Sequence, residues 1–308
     1  KILVDCGLFQ GIKKLRLMNW DFLSVRADEI DIVLLTHGHL DHTGYLPRLV
    51  KNGFKETILG TAPTLDIAEI ILKDSGKIQE EEAERANKEG YSSHSPAEAL
   101  YTLKDAEKTI EHFSSAQEGE WIWLFEGIKV RFQYNGHIIG ATFIELDING
   151  KRFVFSGDIG RKEDLLMRTP NKPKKADVLF VESTYGDRLH PEENLEEKLQ
   201  HIINHTVEKG GTLIIPSFAV ERTQTLMYLL WQMRLKNTIP EILMVMDSPM
   251  GANVLNVFHK HQEWHKLSLA ECTAMCDAFR IVEDFRETWE IIDNKKPKII
   301  IAGSGMIT

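Results

Sequence analysis

A largely apolar run, Ile30-Asp31-Ile32-Val33-Leu34-Leu35, leads directly into His37-Gly38-His39-Leu40-Asp41-His42. A run of that length and composition predicts a buried strand, which puts the histidine-rich stretch on the loop where the strand ends. Zinc takes neutral imidazole nitrogen and carboxylate oxygen, presented from a rigid edge with one position left for water. His37 and His39 alternate along the extended loop and project to one side, while Asp41 and His42 begin the next turn and can face a second ion. One histidine at a strand end is an ordinary core or surface residue. Three histidines and an aspartate within six residues form a metal-binding pattern.

At 308 residues the chain is long enough for two domains, each with its own core. Its 43% hydrophobic and 27% charged residues describe an ordinary globular protein. No apolar run is long enough to cross a bilayer and no basic-then-apolar leader opens the chain, so no membrane partner is expected. Cys6, Cys272 and Cys276 are too few and too scattered for a disulfide framework, which points to a reducing, cytoplasmic setting. The net charge of −9, from 37 basic and 46 acidic residues, argues against a protein that grips long nucleic acid nonspecifically. Local contacts helped by bound cations remain open.

Strands are predicted over residues 1–5, 30–36, 128–134, 142–147, 152–156 and 177–181, with Asn149-Gly150 as a hairpin turn. Residues 64–113 read as helical, broken by an exposed loop over 90–96. After Arg188 the pattern changes. A helix over 193–209, opened by Pro191-Glu192-Glu193, is followed by a strand over 212–216, a helix over 221–236 and strands over 242–246 and 298–302. Such alternation predicts an α/β unit with a parallel sheet. Neither Lys1 nor Thr308 carries the polar tail of a domain boundary, so the chain is expected to be a piece of a longer protein.

Two further strand ends carry ligand chemistry. His137 stands in Asn135-Gly136-His137-Ile138-Ile139-Gly140, and Asp158 in Ser156-Gly157-Asp158-Ile159-Gly160. Singly, each is ordinary loop chemistry; downstream of the first cluster they extend it. In this order, Asp5, His37-x-His39-x-Asp41-His42, His137 and Asp158 resemble the metallo-β-lactamase fold. The resemblance implies an α/β protein built as an αββα sandwich with two zinc ions. His37, His39 and His137 would hold one ion, Asp41 and His42 the second, and Asp158 would bridge them. Asp5 would orient a ligand from behind, fixing its ring geometry and basicity.

Val181-Glu182-Ser183-Thr184-Tyr185-Gly186-Asp187-Arg188 resembles the acidic motif at the entrance to the β-CASP domain, which marks nucleic-acid-processing members of the fold. The stretches at residues 3–11 and 215–222, Asp247-Ser248-Pro249-Met250 and Gly303-Ser304-Gly305-Met306 are similar to the same group. This implies a metallo-β-lactamase domain over 1–188 and a β-CASP domain of parallel-sheet type over 189–308. The nearest resemblance is to bacterial and archaeal ribonucleases akin to the endonuclease subunit of the cleavage and polyadenylation machinery. The expected reaction is zinc-dependent hydrolysis of RNA phosphodiester bonds, internal and/or from the 5′ end. A pair of cations about 3.5–4 Å apart can activate water and offset transition-state charge. Asp41, Asp158 and Glu182 are the catalytic candidates, with Glu182 expected to hold a histidine that protonates the leaving oxygen. That histidine, and another completing the second zinc, are expected beyond Gly303-Ser304-Gly305-Met306. Ala141 stands where relatives often have serine, a change not expected to affect the metals. Ser304 and Arg222 are candidates for phosphate contact. RNA is the expected partner, with a homodimer possible.

The rival readings are a DNA-directed β-CASP nuclease, a small-molecule metallohydrolase of the same fold, and a catalytically silent scaffold subunit. Small-molecule enzymes lack the α/β insertion, and silent relatives lose ligands that this chain retains. Other histidines are read as surface. His201 and His205 lie opposite the apolar stripe Leu195, Leu199, Ile202, Ile203 and Val207. His259, His261 and His265 lie in a predicted helix among lysines and glutamine. Cys272 and Cys276 read as small core residues.

Overall fold

The computed structural model describes residues 1–92, 95–189, 194–282 and 285–303. The chain divides into two compact units, Lys1–Glu182 and Ser183–Thr308.

In the first unit, β1 (Ile2–Val4), α1 (Lys13–Leu17), β2 (Ile32–Leu34), α2 (Leu40–Thr43), α3 (Leu46–Lys51), β3 (Thr57–Thr61), α4 (Ala62–Glu89), α5 (Leu103–Ile110) and β4 (Phe113–Ala116) follow one another. β1 to β4 form a parallel sheet in that order. Successive strand residues face opposite sides, so β2 serves two cores at once. Ile32 and Leu34 pack with Val130, Phe132, Ile144 and Leu146 of the second sheet. Val33 and Leu35 pack with Leu46, Leu49, Leu65 and Leu72 from the helices. That second sheet runs β5 (Ile122–Phe125), β6 (Ile128–Tyr134), β7 (Thr142–Ile148), β8 (Lys151–Phe155) and β9 (Val178–Phe180), antiparallel except for the parallel pair β8–β9. Asn149 and Gly150 both take positive φ, 50° and 84°, closing the β7–β8 hairpin as its Asn-Gly sequence predicts. On the face of β7 turned away from the inter-sheet core, fully buried Glu145 pairs with Arg131 and Arg152, its Oε2 accepting from Arg131 Nε at 2.7 Å.

The second unit contains α6 (Leu195–Glu208), β10 (Thr212–Ser217), α7 (Arg222–Leu235), β11 (Leu243–Asp247), α8 (Pro249–Lys260), α9 (Leu269–Asp277), β12 (Arg280–Val282), α10 (Phe285–Asp293) and β13 (Lys298–Gly303). Its strands form one parallel sheet in the order β10-β13-β11-β12. Strand–helix alternation demands this arrangement, because parallel neighbours need a crossover to return the chain.

Several expectations need correction. The helical region expected over 64–113, with its break after residue 89, is formed by α4 and α5, but α5 begins only at Leu103 and ends at Ile110, and Phe113 opens a strand instead of ending a helix. Strands β3, β4, β5 and β12 were not foreseen. Leu195 and Ile202 of α6 are exposed and only Ile203 is fully buried, so the stripe is narrower than its spacing suggested. His201 and His205 are exposed as expected. His261 and His265, read as surface, are buried. The His265 Nε2–H donates to the carbonyl of Phe258 at 3.0 Å, and its Nδ1 accepts from Leu267 N at 3.2 Å. The ring therefore satisfies a carbonyl in the last turn of α8 and an amide of the segment that follows it, which is worth more than exposing it. Cys272 is buried and Cys276 half-buried. Pro191, Glu192 and Glu193 lie outside the described residues, and α6 is capped by Asn194, whose side chain accepts from Glu197 N.

Candidate metal centre

The site is assembled from strand ends of the first unit. Beyond β1 the chain turns at Asp5, which takes φ +57°, a conformation aspartate tolerates better than most residues. Its carboxylate is tightly held. Oδ1 accepts from Thr36 N at 2.8 Å, and Oδ2 accepts from Thr36 Oγ1 and from His42 Nδ1, both at 2.7 Å. Thr36 lies two residues beyond the end of β2 and is itself buried. Because its hydroxyl proton goes to Asp5, Thr36 Oγ1 is left to accept from His37 Nδ1–H at 3.1 Å. That assignment leaves the His37 Nε2 lone pair pointing into the site.

His39 is the N-cap of α2, so the helix carries Asp41 and His42 away at an angle from His37. His137 and Asp158 sit on the loops after β6 and β8. Buried Asn135 ties those loops together, its Nδ2 donating to the carbonyls of Ser156 at 3.0 Å and Asp158 at 2.8 Å. Gly157 has φ +55°, and a Cβ there would lie 2.8 Å from Thr36 Cβ, so the backbone before Asp158 passes where only glycine fits. Glu182 Oε1 accepts from Ile159 N at 2.8 Å, bracing the Asp158 loop from the end of β9.

Among the described residues two groups of donors converge, each within 4.8 Å: His37, His39, His137 and Asp158; and Asp41, His42 and Asp158. Asp158 belongs to both. Its Oδ2 lies 3.9 Å from His37 Nε2 and 3.5 Å from His137 Nε2, while its Oδ1 lies 3.3 Å from His42 Nε2. Asp41 Oδ2 is 3.9 Å from His42 Nε2.

The donors fit a cation better than they fit one another. His39 Nδ1 lies 3.1 Å from His37 Nε2 and 3.2 Å from His137 Nε2. His39 Nδ1 is either a donor or an acceptor and can make only one of these hydrogen bonds well, so at least one close N···N contact is left unsatisfied. Ligands about 2.0–2.1 Å from a tetrahedral zinc are separated by roughly 3.3–3.4 Å, close to these spacings. Burial, reinforced by the neighbouring His42, His39 and His137, pushes the His37 pKa well below its ordinary value. Burial also brings His39 down to about 4 and lowers His137, so the three rings are neutral and carry free lone pairs at neutral pH. His42 goes the other way. Burial would lower it, but hydrogen bonds to Asp158 and Asp5 outweigh burial and raise it to about 10. The hydrogen bond from His42 correspondingly lowers Asp158. In the metal-free chain a proton on His42 thus supplies the positive charge that the surrounding carboxylates require.

Thr36 and Asn135 escaped the sequence reading, although both stand beside quoted ligands. The chain positions that reveal them are the first polar residue after an apolar strand and the asparagine before Gly136-His137. Glu182 bears on the Asp158 loop, a contact the sequence did not suggest. Arg222 is exposed at the start of α7 in the second unit. Ser304 lies outside the described residues.

A β-lactamase superfamily domain model matches residues 1–211 and a β-CASP domain model matches residues 223–308. A ribonuclease of Thermus thermophilus is 31% identical over 314 residues, covering 100% of the chain and 68% of that protein. Cleavage and polyadenylation specificity factor 73 of Drosophila melanogaster is 34% identical over 233 residues, covering 75% of the chain and 32% of the factor. A transcription termination factor of Methanocaldococcus jannaschii is 26% identical over 319 residues, covering 100% of the chain and 48% of the factor. The chain therefore spans about two thirds of the first relative and a third to a half of the other two.

Proposed function

Since the chain belongs to the β-CASP branch of the metallo-β-lactamase superfamily, a family of metal-dependent nucleases, we propose that its protein hydrolyses RNA phosphodiester bonds with two divalent cations, zinc in both sites. The observation that carries the reading is the placement of Asp158, one oxygen facing the imidazoles of His37 and His137 and the other facing His42. In this reading His37, His39 and His137 hold one cation, Asp41 and His42 hold the other, and Asp158 is shared. The cations, when bound, supply an activated water and neutralise charge that builds on the phosphate. The chain's own residues do the positioning. Neutral His37, His39 and His137 keep lone pairs available, Asp5 fixes the His42 ring, and Asn135 with Glu182 fixes the Asp158 loop. Glu182 is further read as orienting the group that protonates the leaving oxygen. Arg222 and Ser304 remain candidates for phosphate contact. Imidazole nitrogen and carboxylate oxygen donors favour zinc. The three free cysteines support a reducing, cytoplasmic setting, and a homodimer is carried as an expectation for sedimentation analysis.

The test uses the full-length protein, with metal content measured and cleavage of end-labelled RNA and DNA of the same sequence compared. Two equivalents of metal, preference for RNA, and a loss of about 10²-fold or more in Asp41→Ala are expected. A parent that binds no transition metal, prefers DNA, or is matched by the variant would overturn the reading. The product lengths separate internal from 5′-end cleavage.

A further inference from the structure

We propose that residues 9–22 form a track for single-stranded RNA leading away from the metal centre, an inference that rests on the RNA-hydrolysis reading and extends it. The segment buries almost nothing. Helix α1 has no buried residue, and Phe9, Trp20 and Phe22 are 48%, 43% and 85% exposed. Exposed aromatics gathered in one short segment mark a binding surface more often than a packing one. The segment is also basic within an acidic protein. Lys13, Lys14 and Arg16 are exposed and form no ion pair among the described residues, and no acid occurs from residue 9 to residue 20, although the chain carries a net charge of −9.

Its position is fixed beside the site. The root of the segment runs along the ligand loop, with Cys6 N donating to the carbonyl of His42 at 2.7 Å and Leu8 N to that of Leu40 at 3.3 Å. A Cβ on Gly7 would fall 1.5 Å from the carbonyl oxygen of Asp41, so the two backbones pass in direct contact. The far end is clasped by Asn19. This buried side chain accepts from Phe9 N at 2.8 Å and donates to Phe9 O at 2.9 Å. Arg48 lies over the ring of Trp20, and Tyr45 Oη donates to Asp21 O at 3.1 Å. The loop is thus rooted at both ends with its cations and aromatics turned outward.

A cluster of cations flanked on both sides by exposed aromatics suits a single strand, because phosphates pair with the cations while any base can stack on a ring. Two other occupants fit less well. A helix of five residues is too short to lay an amphipathic face on a bilayer. The core of a protein interface is depleted of lysine, whereas lysines occupy the middle of this segment.

The experiment measures binding separately from catalysis. Full-length protein stripped of metal is titrated into a labelled 12-nucleotide oligouridylate, and fluorescence anisotropy is followed at several salt concentrations. Lys13→Ala/Lys14→Ala/Arg16→Ala should weaken binding about tenfold or more at low salt and flatten the log–log salt slope by about 2, near 0.7 for each phosphate no longer neutralised. Phe22→Ala should weaken it roughly 5- to 150-fold, the range for removing one base stack. With metal restored, both variants should hydrolyse bis(p-nitrophenyl) phosphate, too small to reach the track, within about twofold of the parent. Unchanged RNA affinity and salt slope in both variants would overturn the proposal in favour of a protein-docking role. Parallel loss on the small phosphodiester would overturn it in favour of a structural one. A metal-loaded parent inactive on RNA and on the small phosphodiester would instead count against the hydrolase reading, leaving the binding measurement to judge the track alone.

Discussion

Asp5→Asn is the most incisive change at the metal centre, because it alters one atom's chemistry and leaves the backbone alone. Asparagine accepts the positive φ of 57° nearly as well as aspartate, so no strain is added. The side chain, however, can no longer accept everywhere. Its amide nitrogen must replace either Oδ1, where it meets the Thr36 N–H, or Oδ2, where it meets the Thr36 hydroxyl and His42 Nδ1. The first choice sets donor against donor. The second requires His42 Nδ1 to accept, which keeps the ring proton on Nε2, the nitrogen that would otherwise be free to hold a cation. Either way one charge-assisted hydrogen bond disappears, a net cost of about 1.5–3 kcal/mol. As metal affinity that is roughly 10- to 100-fold, the usual effect of removing a partner behind a ligand. Competition against a chromophoric zinc chelator would resolve the two equivalents. The loss should fall on the equivalent that we propose Asp41 and His42 hold. If both equivalents bind as tightly as in the parent, the tautomer reasoning is wrong.

Other perturbations test the frame around the site. Asn135→Ala removes the two side-chain bonds from Asn135 to the Asp158 loop, and should cost about 1–3 kcal/mol in urea unfolding together with weakened zinc binding. Glu145→Ala leaves Arg131 and Arg152 half-buried without their shared carboxylate, so unfolding should ease by about 3–5 kcal/mol with no change in metal stoichiometry. The carboxyl of Asp105, which completes the capping box of α5, is pushed up by partial burial but brought below its ordinary value of 3.8 by hydrogen bonds from Thr102, with help from Lys51. A group lowered in the folded state stabilises above its unfolded pKa and ceases to do so as pH falls through the folded value. Asp105→Asn should therefore be about 1 kcal/mol less stable at neutral pH, with the gap closing below pH 3.8. A gap that persists in acid would refute the charge argument.

Much of the candidate site was legible because ligand type and local spacing are short-range properties. An apolar strand followed by His37, His39, Asp41 and His42 states which donors are present and on which strand end they stand. The hairpin from β6 to β8 was equally readable, since period-two alternation and Asn149-Gly150 agree. The strands that escaped notice are short and take their identity from neighbours. β4, with the sequence Phe-Ser-Ser-Ala, has little strand propensity and exists because β3 offers it a ladder. His261 and His265 looked solvated among lysines, yet packing at the end of α8 claims them.

What the sequence determined by itself is therefore the inventory of donors, the strand ends that bear them, and the family they belong to. Only the tertiary structure decided which atoms meet. That Asp158 presents one oxygen to His137 and the other to His42, and that Asp5 fastens a ring 37 positions away, depends on segments far apart in the chain arriving together. Hydrogen-bond direction is a property of such arrivals: local sequence sets a side chain's chemistry, while long-range packing sets where its lone pairs point.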